Sequence, residues 1–114
     1  MKYTTSEGKV PFDDWMGGFK EAKTRARVNT AVERLEDGNF GSFRRLGEGV
    51  TELKVRFGPG YRVYFAELEG WIVVLLCGAD KSAHQDRDIE TARRYWQDCK
   101  RRWPHEKQTF PGFS

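Results

Sequence analysis

The chain is poor in the residues that build metal centres and disulfide scaffolds. It holds two cysteines and two histidines in 114 residues. Neither Cys77 nor Cys99 has metal-ligand spacing to a second cysteine or to a histidine, which argues against zinc modules and cysteine-stapled secreted domains. Both thiols read instead as reduced packing residues of a cytoplasmic protein, Cys77 in an apolar strand pattern and Cys99 in a helical one. Long hydrophobic runs are missing too. The longest, Trp71–Cys77, is far too short to cross a bilayer, and Met1–Val10 is polar with no apolar stretch behind its charged start, so no membrane span or signal peptide is expected. There are no internal repeats or low-complexity tracts, and no cofactor or metal is expected.

What is present is a charge-rich folded domain. Hydrophobic residues at 38% and aromatics at 14% suffice for one modest core, while 32% charged residues imply a heavily solvated surface. A net charge of +3 with a pI near 9.0 permits an anionic partner without requiring one. Residues 1–103 read as one domain and residues 104–114 as a loose tail of turn residues with two isolated phenylalanines.

Hydrophobic periodicity assigns the elements. Met1–Gly8 offers a short edge strand. Pro11 suits a first helical turn, and Phe12, Trp15 and Phe19 fall at helical spacing over Phe12–Phe19, with Gly17-Gly18 weakening and ending that helix. A second helix over Glu21–Glu36 carries the apolar stripe Val28, Ala31, Val32 and Leu35, with Lys20, Lys23, Arg27 and Arg34 toward solvent, and stops at Asp37-Gly38-Asn39. A brief strand is expected at Ser42–Leu46. The period then changes to two: Leu53, Val55 and Phe57 alternate with charged residues, and beyond Gly58-Pro59-Gly60 so do Tyr61, Val63 and Phe65. Glu69-Gly70 marks another turn, and Trp71–Cys77 reads as a central strand covered on both faces. A last helix over Asp86–Arg102 aligns Ile89, Ala92, Trp96, Cys99 and Trp103 before Pro104 stops it. The fold class that follows is α+β: two N-terminal helices packed on an antiparallel sheet of three or four strands, with a C-terminal helix.

The hairpin Leu53–Phe65 gathers charge on one face. If Gly58-Pro59-Gly60 is a three-residue turn, Phe57 lies opposite Tyr61, Val55 opposite Val63 and Leu53 opposite Phe65; on the reverse face Arg56 meets Arg62 and Lys54 meets Tyr64. Like charges directly opposite each other destabilise a sheet, an anionic ligand would relieve the repulsion, and the arginine fork suits phosphate oxygens. The plainer alternative is a solvated face partly neutralised by Glu52 and Glu67.

A series of short motifs adds to this. Lys9-Val10-Pro11-Phe12 with Trp15 is followed by Asp37-Gly38-Asn39-Phe40-Gly41 and Leu46-Gly47-Glu48-Gly49-Val50. Then come Glu52-Leu53-Lys54-Val55-Arg56, Gly58-Pro59-Gly60-Tyr61-Arg62-Val63-Tyr64-Phe65, Gly78-Ala79-Asp80-Lys81-Ser82, and Gln85-Asp86-Arg87-Asp88-Ile89 with Tyr95-Trp96. In this order, over roughly Tyr3–Trp96, the series resembles the addiction-module killer branch of the RelE/ParE toxin superfamily, close to the HigB-type toxins. The resemblance implies a RelE-like fold and a toxin of a type II toxin–antitoxin system, with a cognate antitoxin often of helix-turn-helix type. For RelE and HigB-type members it also implies ribosome-dependent, metal-independent cleavage of mRNA, in which the ribose 2′-oxygen attacks the adjacent phosphate.

Carried over by position, Arg62 matches the arginine after Gly-Tyr that contacts the scissile phosphate, Lys54 matches a lysine on the preceding strand accompanied by Arg56, and Lys81 falls at the basic position after the last strand. Tyr64 joins Arg56 and Arg62 as an expected RNA contact. The family's tyrosine near the start of the C-terminal segment has no counterpart in Ala83-His84-Gln85-Asp86-Arg87-Asp88, where His84 is the group titrating nearest neutrality, as a catalytic acid or base or as a solvated loop residue. Asp86 and Asp88 suit the first turn of the helix, with a catalytic Asp86 as the alternative; His105 is expected in the tail. Two further readings stay open: a non-catalytic ParE-like toxin that binds a protein such as DNA gyrase, and a degenerate toxin that keeps only antitoxin binding.

Overall fold

The computed structural model describes residues 1–81 and 84–106, the side chains of 104–106 excepted. In order, the elements are α1 (Pro11–Gly17), α2 (Ala22–Glu36), β1 (Phe43–Arg45), β2 (Thr51–Val55), β3 (Tyr61–Leu68), β4 (Ile72–Asp80) and α3 (Gln85–Glu106). The strands form an antiparallel meander in the order β1-β2-β3-β4. This is the α+β arrangement the periodicity predicts: two helices, a four-stranded sheet and a closing helix.

Alternation along the strands sorts their side chains to two faces. Leu53 and Val55 on β2, Val63 and Phe65 on β3 and Leu75 on β4 meet Phe12 and Met16 of α1 and Val28, Val32 and Leu35 of α2. Tyr64, Ala66 and Leu68 on β3 and Val74, Leu76 and Cys77 on β4 meet Ala92, Trp96, Cys99 and Trp103 of α3. Both faces are therefore apolar and covered, where the sequence suggested only one apolar face outside a central strand. The apolar run of β4 is buried on both sides as expected, but β4 is the last strand of the sheet rather than a central one. Its outer edge is met by the N-terminal residues: the amides of Tyr3 and Leu75 donate to the carbonyls of Leu75 and Met1 at 2.9 and 2.8 Å, a short parallel bridge.

The hairpin register also differs from expectation. Val55 lies opposite Tyr61, Lys54 opposite Arg62, Leu53 opposite Val63 and Glu52 opposite Tyr64. The expected pairs of Arg56 with Arg62 and Lys54 with Tyr64 are replaced because Arg56 and Phe57 leave the ladder and join the loop. There the Phe57 amide donates to the Val55 carbonyl and the Gly60 amide to the Phe57 carbonyl, with Gly58 and Gly60 at φ of 56° and 94° that glycine adopts without strain. The shift is by two residues, so every side chain keeps its face.

At the C-terminus α3 runs through Pro104 to Glu106 instead of stopping before it, taking the backbone of His105 with it. A proline in a last turn removes only one backbone hydrogen bond, and the buried Trp103 anchors the turn before it. The rest of the expected tail, 107–114, lies outside the described residues, as do Ser82 and Ala83. Among the described residues no helix is long and apolar enough to cross a membrane.

Gly78 on β4 lets α1 close on the sheet. A Cβ there would stand 2.0 Å from Cε3 of Trp15. Gly78→Ala is expected to destabilise the fold by about 1–3 kcal/mol, an overpacking cost, read as a lower urea midpoint. An unchanged midpoint would mean that α1 does not rest on this strand.

Candidate functional site

The face of the sheet that α3 covers is apolar at one end and charged at the other. The start of α3 lies at the boundary, where Gln85 Nε2 donates to Glu52 Oε2 at 2.9 Å. Beyond it Lys54 and Arg62 emerge side by side across the β2–β3 ladder toward the loop. A pocket of about 500 Å³ opens there, lined by Lys54, Arg56, Arg62 and Lys81 around Gly58-Pro59-Gly60. Four cations that the sequence singled out thus share one cavity, and no carboxylate among the described residues lines it. Lys81 belongs because its amide donates to the Gly60 carbonyl at 3.1 Å, tying the segment after β4 to the hairpin loop.

Two of the expected residues sit elsewhere. Tyr64 is fully buried under α3 and cannot contact RNA as expected, because its face of β3 forms core at that position. Burial pushes its phenol well above the usual tyrosine range, with the Glu52 charge adding to the effect. The pocket's phenol is Tyr61 instead, whose hydroxyl would stand 3.9 Å from a Cβ built on Gly58 and whose ring packs edge-on against Phe19. The sequence assigned Tyr61 to the apolar face and so missed it. His84, just before α3, is exposed and is not among the residues lining the pocket. Its charge acts on Asp88, whose carboxyl is raised mainly by burial, with His84, Arg62 and Arg87 pulling it down and Asp80 pushing it up. Asp86 and Asp88 occupy the first turn of α3, as their helix-dipole preference predicts.

The second residue that pattern reading missed is Glu52. It is 0% exposed, and one of its oxygens, Oε2, serves Gln85 at 2.9 Å, Arg62 Nε at 3.6 Å and Arg44 Nη2 at 3.8 Å. Its other oxygen, Oε1, has no hydrogen-bond partner, nor do Arg62 Nη1 and the Tyr64 hydroxyl, all three buried. Glu67 pairs with Arg45 at 3.5 Å, away from the pocket cations. The neutralisation considered from sequence therefore exists, but it is directed: Glu52 takes the inner part of Arg62 and leaves Lys54, Arg56 and Lys81 without an ion pair among the described residues.

A second cavity of about 360 Å³ shares the Lys54–Phe57 wall and continues toward α2, where Arg27, Arg34, Asn39 and Ser42 line it, again with no carboxylate. Arg27 stacks over Phe57 at 5.1 Å, and Arg56 Nη2 donates to Ser42 Oγ at 3.4 Å. By contrast, the hollow along α3 mixes Arg93, Arg94 and Arg101 with Glu48, Glu90 and Asp98 and is laced by their ion pairs. Cavities lined by cations with no acid, among the described residues, thus belong to the hairpin side. Such a surface can hold the oxygens of an extended phosphodiester.

Cys77 and Cys99 are free and buried. Burial raises the Cys77 thiol to about 12, with the Asp88 charge adding to it, and the Cys99 thiol to about 11. No family model matches the chain. A protein of Haemophilus influenzae, described as uncharacterized, is 42% identical over 84 residues, which is 74% of this chain and 84% of that protein.

Because the thiolate is the reactive form, neither cysteine should react with iodoacetamide at pH 8 in the native state, and both should react once urea unfolds the chain. Rapid native labelling of Cys77, followed by mass spectrometry, would contradict its burial beneath α3.

Proposed function

The chain belongs to the same family as the Haemophilus influenzae protein, and we propose that it is the toxin of a type II toxin–antitoxin pair of the RelE/ParE superfamily, in its HigB-like branch. It acts in the cytoplasm, where it grips mRNA on the ribosome and cleaves it without a metal. The observation that carries this reading is the single pocket in which Lys54, Arg56, Arg62 and Lys81 converge on a glycine loop with no carboxylate among them. A structural surface would intersperse acids, as the α3 hollow does.

The chemistry follows from what such a pocket can do. The 2′-hydroxyl of a bound nucleotide loses its proton, its oxygen bonds to the adjacent phosphorus, and the bond to the 5′-oxygen breaks as that oxygen takes a proton. A 2′,3′-cyclic phosphate and a 5′-hydroxyl result. Negative charge grows on the non-bridging oxygens, and Arg62 with Lys54 is the pair to receive it. Arg56 and Lys81 hold neighbouring phosphates, and the strand continues along the Arg27–Arg34 cavity. His84, exposed before α3 and outside the pocket lining, would have to move toward the bound strand to carry either proton. The cognate antitoxin, of helix-turn-helix type, binds a surface broad enough that pocket substitutions leave the pairing intact.

One observation favours a second reading. Among the described residues no imidazole or carboxylate lines the pocket, and the side-chain hydroxyl found there belongs to Tyr61. A pocket that grips anions with no such proton carrier fits a non-catalytic toxin of the ParE kind, acting on a protein such as DNA gyrase, or a degenerate toxin that only holds its antitoxin.

Arg62→Ala and Lys54→Ala are each expected to relieve growth arrest on induction and to slow cleavage of translated mRNA by about 100-fold or more, the cost of removing one preorganised charge donor. Primer extension in a cell-free translation reaction reads the cleavage. If both variants still arrest growth and no transcript is cut, the nuclease reading is lost and supercoiling assays test the alternative. For a bound single strand, each lost cation should also flatten the slope of log affinity against log salt by about 0.7.

A further inference from the structure

We propose that Glu52 is the positioning residue of the hairpin pocket: its buried carboxylate holds the Arg62 guanidinium from behind and pins the start of α3 to the same point. The inference rests on the reading of the pocket as a phosphate-gripping site and assigns the part that orients it.

Glu52 occupies a position that stability alone does not explain. It is completely buried, yet only Oε2 is engaged, while Oε1 has no partner. A buried ion pair replaced by apolar side chains of similar size is often no less stable, so a carboxylate retained with an orphan oxygen points to a role in geometry. Its surroundings identify that role. Arg62 presents Nε to Oε2 at 3.6 Å, and its side chain is 12% exposed, enough to reach the pocket it lines. An arginine opposite Lys54 would otherwise swing away from the neighbouring charge. Held at Nε by Glu52 and with Nη1 buried, it keeps only the exposed remainder of its guanidinium for a ligand oxygen.

The same oxygen accepts from Gln85 at the start of α3, and four residues earlier the Lys81 amide is tied to Gly60. Lys81 and the start of α3 are thereby each tied to the hairpin, Gln85 through Glu52. Arg44 Nη2, at 3.8 Å, adds a third donor from β1.

The test is Glu52→Gln in the full chain, which keeps the shape and removes the charge, read by ¹H–¹⁵N spectra of the arginine Nε–H groups. In the wild type the Arg62 Nε–H signal is expected to be displaced from the exposed-arginine cluster and slow to exchange; in Glu52→Gln it should collapse into that cluster while far-UV circular dichroism stays native. Cleavage by Glu52→Gln should fall at least tenfold, whereas affinity for a 2′-deoxy, uncleavable oligonucleotide should hold or tighten, since one negative charge has gone. A residue that only supported the fold would lower both together.

A wild-type Arg62 signal already in the exposed cluster would overturn the proposal, even if Glu52→Gln fails to fold. So would a folded Glu52→Gln whose Arg62 signal and cleavage match the wild type. If Arg62→Ala cleaves RNA as the wild type does, the functional reading fails instead, and the wild-type Arg62 signal still decides the positioning.

Discussion

Burial of β3 on both faces governs this molecule. A strand of eight residues sends Val63 and Phe65 into one core and Tyr64, Ala66 and Leu68 into another, so helices must cover both sides of the sheet. Helices α1 and α2 supply one cover and α3 the other. But α3 follows closely on β4, and its first turn comes down around Glu52, Tyr64 and Cys77. The strand ends beyond that point have no apolar roof. Polar residues there are consistent with the fold, and cations there are consistent with an anionic visitor. The position of the pocket is thus a result of where the second cover stops.

Local pattern made much of this legible. The stripe on α2, the alternation on β2 and β3 and the helical spacing from Ile89 to Trp103 all depend on near neighbours in sequence, and all appear where they were read. Lys54, Arg56 and Arg62 were legible for the same reason, since alternation and loop position bring them together in either register; Lys81 was named only through the resemblance to the toxin family. What was not legible depends on tertiary choices. The two-residue register shift follows from Arg56 and Phe57 leaving the ladder, which the Gly-Pro-Gly signal does not encode. The place of β4 at the sheet's edge depends on the N-terminal residues lying beside it. The burial of Tyr64 and Glu52 depends on where α3 lands. Alternation put both on the polar face of the hairpin, and nothing in the local pattern places a helix over that face.

The functional reading turns on the distinction between having charge and leaving charge unpaired. The chain carries twenty lysines and arginines against seventeen acids, an unremarkable excess. Along α3 acids and arginines largely neutralise one another, with Asp98 accepting from Tyr3 at 2.6 Å and pairing with Arg101 and Arg102. On the hairpin side no acid among the described residues lines the two adjoining cavities, Asp80 lying beside Lys81 without lining them, and Glu52, which pairs with Arg62, is buried beneath the sheet surface. Net charge would not reveal this, because the imbalance is local.

The bond from the Lys81 amide to the Gly60 carbonyl joins the hairpin loop to the lead-in of α3 as one mechanical unit. A change of backbone path at Gly60 is felt at Lys81. Across evolution the two are therefore expected to drift together, so that a relative with a remodelled hairpin loop also carries a compensating change before its last helix.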